Sequence, residues 1–361
     1  MKKLSQLLLS FVLIASLTSC APITTQNQTG DNGSFFVHFI DVGQADAALV
    51  QCDGKAMLID GGNAADSDLV YTYLKKQQIE YLDYVVCSHA HEDHVGGLSG
   101  ALATLRAGRV FAPEAEADSK AYLNFKRKVE GQGLAIEHPQ AGSSFQLGSS
   151  TVRFLGPITQ DADELNNTSI VMKITYGATS FLFTGDAERE EEQEILNAGY
   201  DLSATVLKVG HHGAENSTTY PFLREIMPQY GVISVGAKNP YNHPSAEALS
   251  RLRDAGVKVY RTDLQGDVIA ASDGTYLTFT AAKNADAAAA SDTVPAQVQQ
   301  SPPPQSAASD YQIQNYIGSR STRKFHLPSC RSLPDEKNRV LFSEREQALR
   351  QGFTPCGSCN P

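Results

Sequence analysis

Between Ser88 and Gly97 the chain reads Ser-His-Ala-His-Glu-Asp-His-Val-Gly-Gly, so His89, His91, Asp93 and His94 fall within six residues. Four metal-competent side chains at that density have no use on an ordinary polar loop or on an amphipathic face. His89 and His91 alternate, and at strand spacing two residues apart point the same way. Asp93 and His94 follow the end of that strand and curl toward a second point. Gly96 and Gly97 then permit a tight turn into a helix. A loop of this shape feeds two metal ions, and its imidazole and carboxylate donors suit zinc and tolerate manganese.

The elements around it deliver more side chains of the same kind. Leu82 to Cys87 is an apolar run that reads as a strand, and it carries the His motif at its C-terminal end, where sites in α/β sheets sit. Phe183-Thr184-Gly185-Asp186 ends another apolar strand, and a carboxylate there can bridge two ions. His211-His212-Gly213 follows the strand Val206 to Val209, and His243 follows the strand Gly231 to Val235 in the turn Asn239 to Pro244. Strand runs also cover Phe35 to Asp41, Ala47 to Gln51, Ala56 to Asp60, Arg109 to Ala112, Phe145 to Leu147, Thr151 to Leu155, Ser169 to Tyr176 and Ser180 to Thr184. Helical spacing marks Asp66 to Gln78, with Leu69, Tyr73 and Leu74 on one side, and also Leu98 to Arg106, Lys120 to Glu130, Glu188 to Ala198 and Ser245 to Asp254. Two runs of strands, each followed by helices, imply an α/β fold of two sheets packed face to face with helices outside.

The 361 residues exceed the needs of one such domain. Residues 1–20 read as a lipoprotein signal peptide: Lys2 and Lys3 precede the apolar run Leu7 to Leu17, too short for a lasting span, and Leu17-Thr18-Ser19-Cys20 resembles a bacterial lipobox with Cys20 as the lipidated residue. Residues 21–33 read as a polar tether, 34–282 as the catalytic domain and 283–310 as a Pro/Ala/Ser/Gln linker too poor in large apolar side chains to build a core. Residues 311–361 form a small module. The net charge of −10 is uneven: from Tyr311 onward there are eight Lys and Arg against four Asp and Glu, leaving 22 against 36 in the rest. That joins an acidic portion to a basic tail. Cys52 and Cys87 sit in apolar runs and read as buried residues, with a disulfide between them possible but not indicated. His326, Cys330, Cys356 and Cys359 form two ligand pairs at tetrahedral zinc spacing; an exported location favours the competing disulfide, but three cysteines pair poorly.

FIDVGQADA, LIDGG, SHAHEDHVGG, NNTSIVMKI, FLFTGDAE, LKVGHHG and NPYNHPS, in that order, resemble the metallo-β-lactamase superfamily, and more narrowly the metallo-hydrolase domain of the ComEC-type competence proteins. The resemblance spans about Phe35 to Phe279 and implies an αββα sandwich with the site at one edge. Carried over by position, His89 and His91 hold a first ion. Asp93 and His94 face a second, Asp186 bridges and His243 completes the set. Asp60, Asn167 and His211 stand behind the ligands. The segment ahead of Gly185-Asp186 reads Asn166-Asn167-Thr168-Ser169, the branch's own pattern, where many members of the superfamily place another histidine ligand. YIGSRSTRKFH, CRSL and PCGSC resemble the Ada-like metal-binding domain, here with His326 at the position of one cysteine ligand.

Two divalent ions generate hydroxide near neutral pH from a shared water. Asp93 or Asp186 would orient it. His212 would stabilise charge or protonate the leaving group, with His211 as the alternative. The expectation is an exported, lipid-anchored, metal-dependent hydrolase of phosphodiesters with DNA as the leading substrate, two Zn or Mn ions in the site and one structural Zn in the tail. Arg320, Arg323, Lys324 and Arg331 are candidates for touching DNA. A hydrolase of another ester (phosphocholine ester, lactone or envelope component) and a non-catalytic binding lipoprotein are the alternatives.

Overall fold

The computed structural model describes residues 35–159, 164–284, 316–327, 330–342, 348 and 351–356, which leaves Cys20 and Cys359 outside the described residues. The chain forms two compact units that divide between Asp292 and Thr293. In chain order the first contains β1 (Phe35–Phe39), β2 (Ala47–Cys52), β3 (Lys55–Gly61), α1 (Ser67–Lys76), β4 (Tyr81–Val86), α2 (Glu92–Val95), α3 (Leu98–Thr104), β5 (Arg106–Phe111), α4 (Lys120–Gly131), β6 (Ile136–Glu137), β7 (Ser144–Leu147) and β8 (Ser150–Phe154). There follow β9 (Met172–Tyr176), β10 (Thr179–Phe183), α5 (Arg189–Ala198), β11 (Val206–Lys208), α6 (Tyr220–Ile226), β12 (Tyr230–Ile233), α7 (Ala246–Asp254), β13 (Lys258–Arg261), α8 (Thr262–Gln265), β14 (Val268–Ser272) and β15 (Leu277–Ala281).

One sheet runs β15-β14-β1-β2-β3-β4-β5-β6 and the other β13-β12-β11-β10-β9-β8-β7. Each is mixed: antiparallel from β15 to β3 and from β7 to β10, parallel from β3 to β6 and from β10 to β13. Period-two alternation decides what lies between them. In β1, Phe35, Val37 and Phe39 face the second sheet, where Phe35 stacks on Tyr176 at 5.0 Å and Phe39 on Phe183 at 5.8 Å. His38 points the other way and meets the Tyr73 hydroxyl of α1 at 2.9 Å. Helices α1, α3 and α4 cover the outer face of the first sheet through Val70, Leu74, Leu98, Leu102, Tyr122 and Phe125. Helices α5, α6 and α7 cover the second through Ile195, Phe222, Leu223, Ile226 and Leu252. The result is the αββα sandwich.

Three local expectations change. Leu69 is 43% exposed, because the buried stripe of α1 is Val70, Tyr73 and Leu74. Helix α3 stops at Thr104, because Arg106 already pairs with Tyr81 as the first residue of β5. Strand β9 begins at Met172 rather than Ser169, because Ser169 is used by the loop that shapes the site. Cys52 and Cys87 are buried free thiols.

Among its described residues the tail unit has four strands, β16 (Tyr316–Ser319), β17 (Lys324–His326), β18 (Arg339–Phe342) and β19 (Thr354–Pro355), in the order β18-β16-β17-β19. Its apolar core is Phe325, Phe342, Ala348 and Phe353. A core that small needs a further crosslink, and the ligand atoms of His326, Cys330 and Cys356 lie within 4.8 Å of one another. Arg323 is exposed, and it lies over the Phe353 ring at 4.2 Å and donates to the Gln351 carbonyl.

Candidate metal centre and active site

The site lies where the parallel strands of both sheets end. Asp60 ends β3, Ser88 to His94 follow β4, Asp186 follows β10, His211 and His212 follow β11, and Ser234 follows β12. Asp60, His211 and His212 all hold positive φ (55°, 49° and 53°), a conformation that costs free energy for such residues and persists where surrounding structure imposes it. Two glycines let the loops close. A Cβ on Gly97 would run into the Gly61 carbonyl at the end of β3, and one on Gly185, at φ 51°, would press on Ser169 and Ser88.

Two imidazoles and two carboxylates converge. His94 Nε2 lies 3.2 Å from Asp186 Oδ2 and 3.9 Å from Asp93 Oδ2. His212 Nε2 lies 3.2 Å from Asp93 Oδ2 and 3.5 Å from Asp186 Oδ2. The four residues offer ligand atoms within 4.8 Å of one another. The other nitrogen of each ring is fixed from behind, as it is around metal ligands generally. Asp60 Oδ2 sits 2.9 Å from His94 Nδ1, while Asp60 Oδ1 accepts the Ser88 amide at 2.7 Å. His212 Nδ1 faces the Ser234 carbonyl at 2.9 Å and Asp46 Oδ1 at 3.2 Å. Asp46 in turn pairs with the buried ammonium of Lys208 at 2.7 Å.

This arrangement fits a cation. Asp186 Oδ1 is buried and has no hydrogen-bond partner, a costly state that an ion relieves. Without an ion, the imidazoles carry the compensating charge. Burial pulls His212 down, but Asp186, Asp46 and Asp93 outweigh it and raise it to about 10. His94 is raised in the same way, by Asp186, Asp93 and Asp60 against burial. Burial pushes Asp93 up, yet His94 and His212 hold it down at about 2.

His89 and His91 form a second donor pair, with Nε2 and Nδ1 3.0 Å apart and Ser88 Oγ 3.1 Å from His89 Nδ1. Burial, and then His94, hold His89 in its neutral form, the form that ligates. Ser169, in the loop before β9, donates no nitrogen to this pair; its Oγ accepts the Asp186 amide at 3.0 Å. His243 stands outside the four-residue cluster, its ring 5.6 Å from that of His211. His211 is half-buried, with Nε2 3.8 Å from Asp186 Oδ2 and Nδ1 3.3 Å from Glu188. Asn167 braces that loop by accepting the Glu188 amide at 3.0 Å, and Asn166 donates to the Glu188 carboxylate at 2.7 Å.

Asp46, Lys208, Ser234 and Glu188 are the positioning residues that sequence reasoning did not single out. One signal was readable: a lysine inside the apolar run Val206 to Val209 must be buried and paired. The Ser234 carbonyl had no signal at all, since any residue supplies one.

A sandwich with imidazoles and carboxylates at the C-terminal ends of its parallel strands is the architecture of a metallo-hydrolase. The sequence profile of the metallo-beta-lactamase superfamily matches residues 40–237, and the chain belongs to that superfamily, as a hydrolase of its fold with a candidate metal centre. It is similar to ComE operon protein 3 of Bacillus subtilis (30% identical over 250 residues, 64% of this chain and 32% of that protein). It is also similar to competence protein ComA of Neisseria gonorrhoeae (29% over 228 residues, 63% and 30%). The chain thus spans about a third of the length of these relatives. The profile of the metal binding domain of Ada matches residues 305–361, and that part is 42% identical over 52 residues to the bifunctional transcriptional activator/DNA repair enzyme AdaA of B. subtilis, covering 14% of this chain and 25% of that protein. Among solved structures, the metallo-beta-lactamase fold protein YhfI of B. subtilis aligns with 66% of this chain and 100% of its own at 16% identity and TM-score 0.47.

Proposed function

We propose that this protein is an exported, lipid-anchored metallo-phosphodiesterase whose substrate is DNA. The observation that carries the hydrolytic part is the convergence of Asp93, His94, Asp186 and His212 with the far nitrogen of each imidazole fixed by a carboxylate or carbonyl. The phosphodiester part is supported by the likeness to competence proteins and by the basic, Ada-like tail. The lipid anchor at Cys20 is supported by the Lys2-Lys3 start, the apolar run and the Leu-Thr-Ser-Cys ending. No helix among the described residues is long and apolar enough to cross a membrane.

In this reading Asp93, His94, Asp186 and His212 hold one ion and His89 and His91 contribute to a second. Such ions supply a Lewis acid and a water of lowered pKa. Asp93, whose side chain is 31% exposed against 3% for Asp186, is the carboxylate placed to orient incoming water. Asp60, Asp46 and Ser234 hold the two imidazoles in one tautomer and one orientation. His212 is a ligand rather than the acid, because its Nε2 is turned into the cluster. The half-buried His211 is the imidazole that donates a proton to the leaving oxygen.

The test assays the full-length protein, with bound metal quantified, on bis(p-nitrophenyl) phosphate and on single- and double-stranded DNA, beside Asp186→Ala. Metal-dependent cleavage that the variant loses is the expected result. Absence of metal-dependent cleavage of every phosphodiester sinks the reading.

A further inference from the structure

Beyond His243 the site has a built rim. Tyr241 is 63% exposed, yet its ring is held, stacked on His243 at 5.8 Å and 21°. His243 meets His211 edge-on at 5.6 Å, and His211 reaches Asp186. An exposed aromatic ring is thus joined to the metal centre by a short ladder of rings. The loop carrying it is locked. Asn239 Oδ1 accepts the amides of Tyr241 (3.1 Å) and His243 (3.0 Å), and its Nδ2 donates to the carbonyls of Gly236 (2.9 Å) and His243 (2.6 Å). The Gly236 amide is tied to Gln44 on the loop between β1 and β2 at 3.1 Å. Lys238 and Asn242 flank the ring at positive φ, so the loop is held in a conformation that relaxed chain would not choose. Lys238 is exposed on the same turn.

The loop backbone is fixed, and the Tyr241 ring it carries leaves most of its surface in water and stacks on His243. A flat, exposed aromatic face is what stacks a nucleobase. We infer that Tyr241, backed by His243, is a stacking platform for a nucleobase next to the scissile phosphodiester, making the enzyme selective for unpaired nucleic-acid strands. Away from its ends a duplex keeps both faces of each base stacked on its neighbours and offers none to the ring. The inference rests on the phosphodiester reading, and it makes Tyr241 a specificity residue for the same site.

The experiment measures binding of fluorescent single strands to the full-length protein by anisotropy, without added divalent ion. Oligothymidylate, oligouridylate and an abasic strand of equal length are compared, and cleavage of the same strands is followed separately with metal. The wild type is expected to bind the base-bearing strands about tenfold more tightly than the abasic strand, the scale of one stacking contact. Tyr241→Ala should bring that ratio close to one and Tyr241→Phe should keep it. The thymidylate and uridylate arms show whether the base comes from DNA or RNA. A wild type without base preference, or a Tyr241→Ala variant that retains it, overturns the platform. Base preference without any cleavage leaves the platform standing and overturns the phosphodiesterase reading instead.

Discussion

At the scale of residues, His212 and His243 divide a role that their positions in sequence leave open. His212 Nε2 faces two carboxylates, whereas His243 packs on His211. His212→Ala and Asp186→Ala are therefore expected to lose the tightly held ion after desalting, and His243→Ala to keep it, as read by elemental analysis per chain. Binding of that ion must displace the proton held by His212, whose pKa of about 10 lies above the usual imidazole value. Affinity should accordingly rise as pH increases from 6 to 9, with protons released, a trend that calorimetry in buffers of different ionisation enthalpy detects. Behind His212, Lys208 and Asp46 are both buried. Lys208→Met leaves Asp46 only the His212 imidazole as a partner, and removing one member of such a buried pair costs about 3–5 kcal/mol. Urea unfolding should show a loss of that size, and an unchanged midpoint would show that the pair is not buried as described.

At the scale of elements, α5 carries two acidic residues into the interior. Glu191 accepts the Ile158 amide at 2.7 Å, and Glu192 accepts the amides of Thr218 and Thr219 just before α6. They tie α5 to the loop after β8 and to the start of α6. Burial raises Glu191 to about 7 and Glu192 to about 6, above the ordinary 4.5. The folded protein then binds protons that the unfolded chain releases. The stability they contribute is fully present below about pH 4.5 and is lost as pH rises through 6 to 7. In the ion-free protein the melting temperature should fall between pH 5 and pH 8, and Glu191→Gln should flatten that slope. A variant with the wild-type slope would assign the dependence to other groups.

For the whole molecule, the division into two units predicts two separate dependences on metal. Among the described residues the first unit has three buried apolar clusters, so its fold is expected to persist without an ion. Among its described residues the tail has one cluster of four buried apolar residues, and it also carries the ligand group His326, Cys330 and Cys356. Chelation should therefore leave β1 and β10 protected from hydrogen exchange while residues 316–356 exchange freely. Persistent protection of the tail in chelator would show that its apolar core suffices.

The strands were legible because alternation and apolar runs record which face is buried: β1 and β11 lie within the runs read from the sequence, and β4 and β10 each begin one residue before theirs. The His-x-His-x-Asp-His spacing established a metal by itself, because its donors are adjacent in the chain and need no fold to be recognised together. Leu69 was misplaced because one helical turn offers two apolar stripes and only the sheet beneath α1 selects Val70. The completion of the site was a tertiary decision. Asp46, Asp93, Asp186 and His212 come from four separated segments, and which imidazole enters the cluster depends on the positive-φ turn after β11. Likewise Tyr241 reads as an ordinary loop residue until Asn239 and the rings of His243 and His211 place it beside the metal centre. Local spacing pointed to a metal site; the meeting of strand ends from two sheets decided which side chains could surround an ion there.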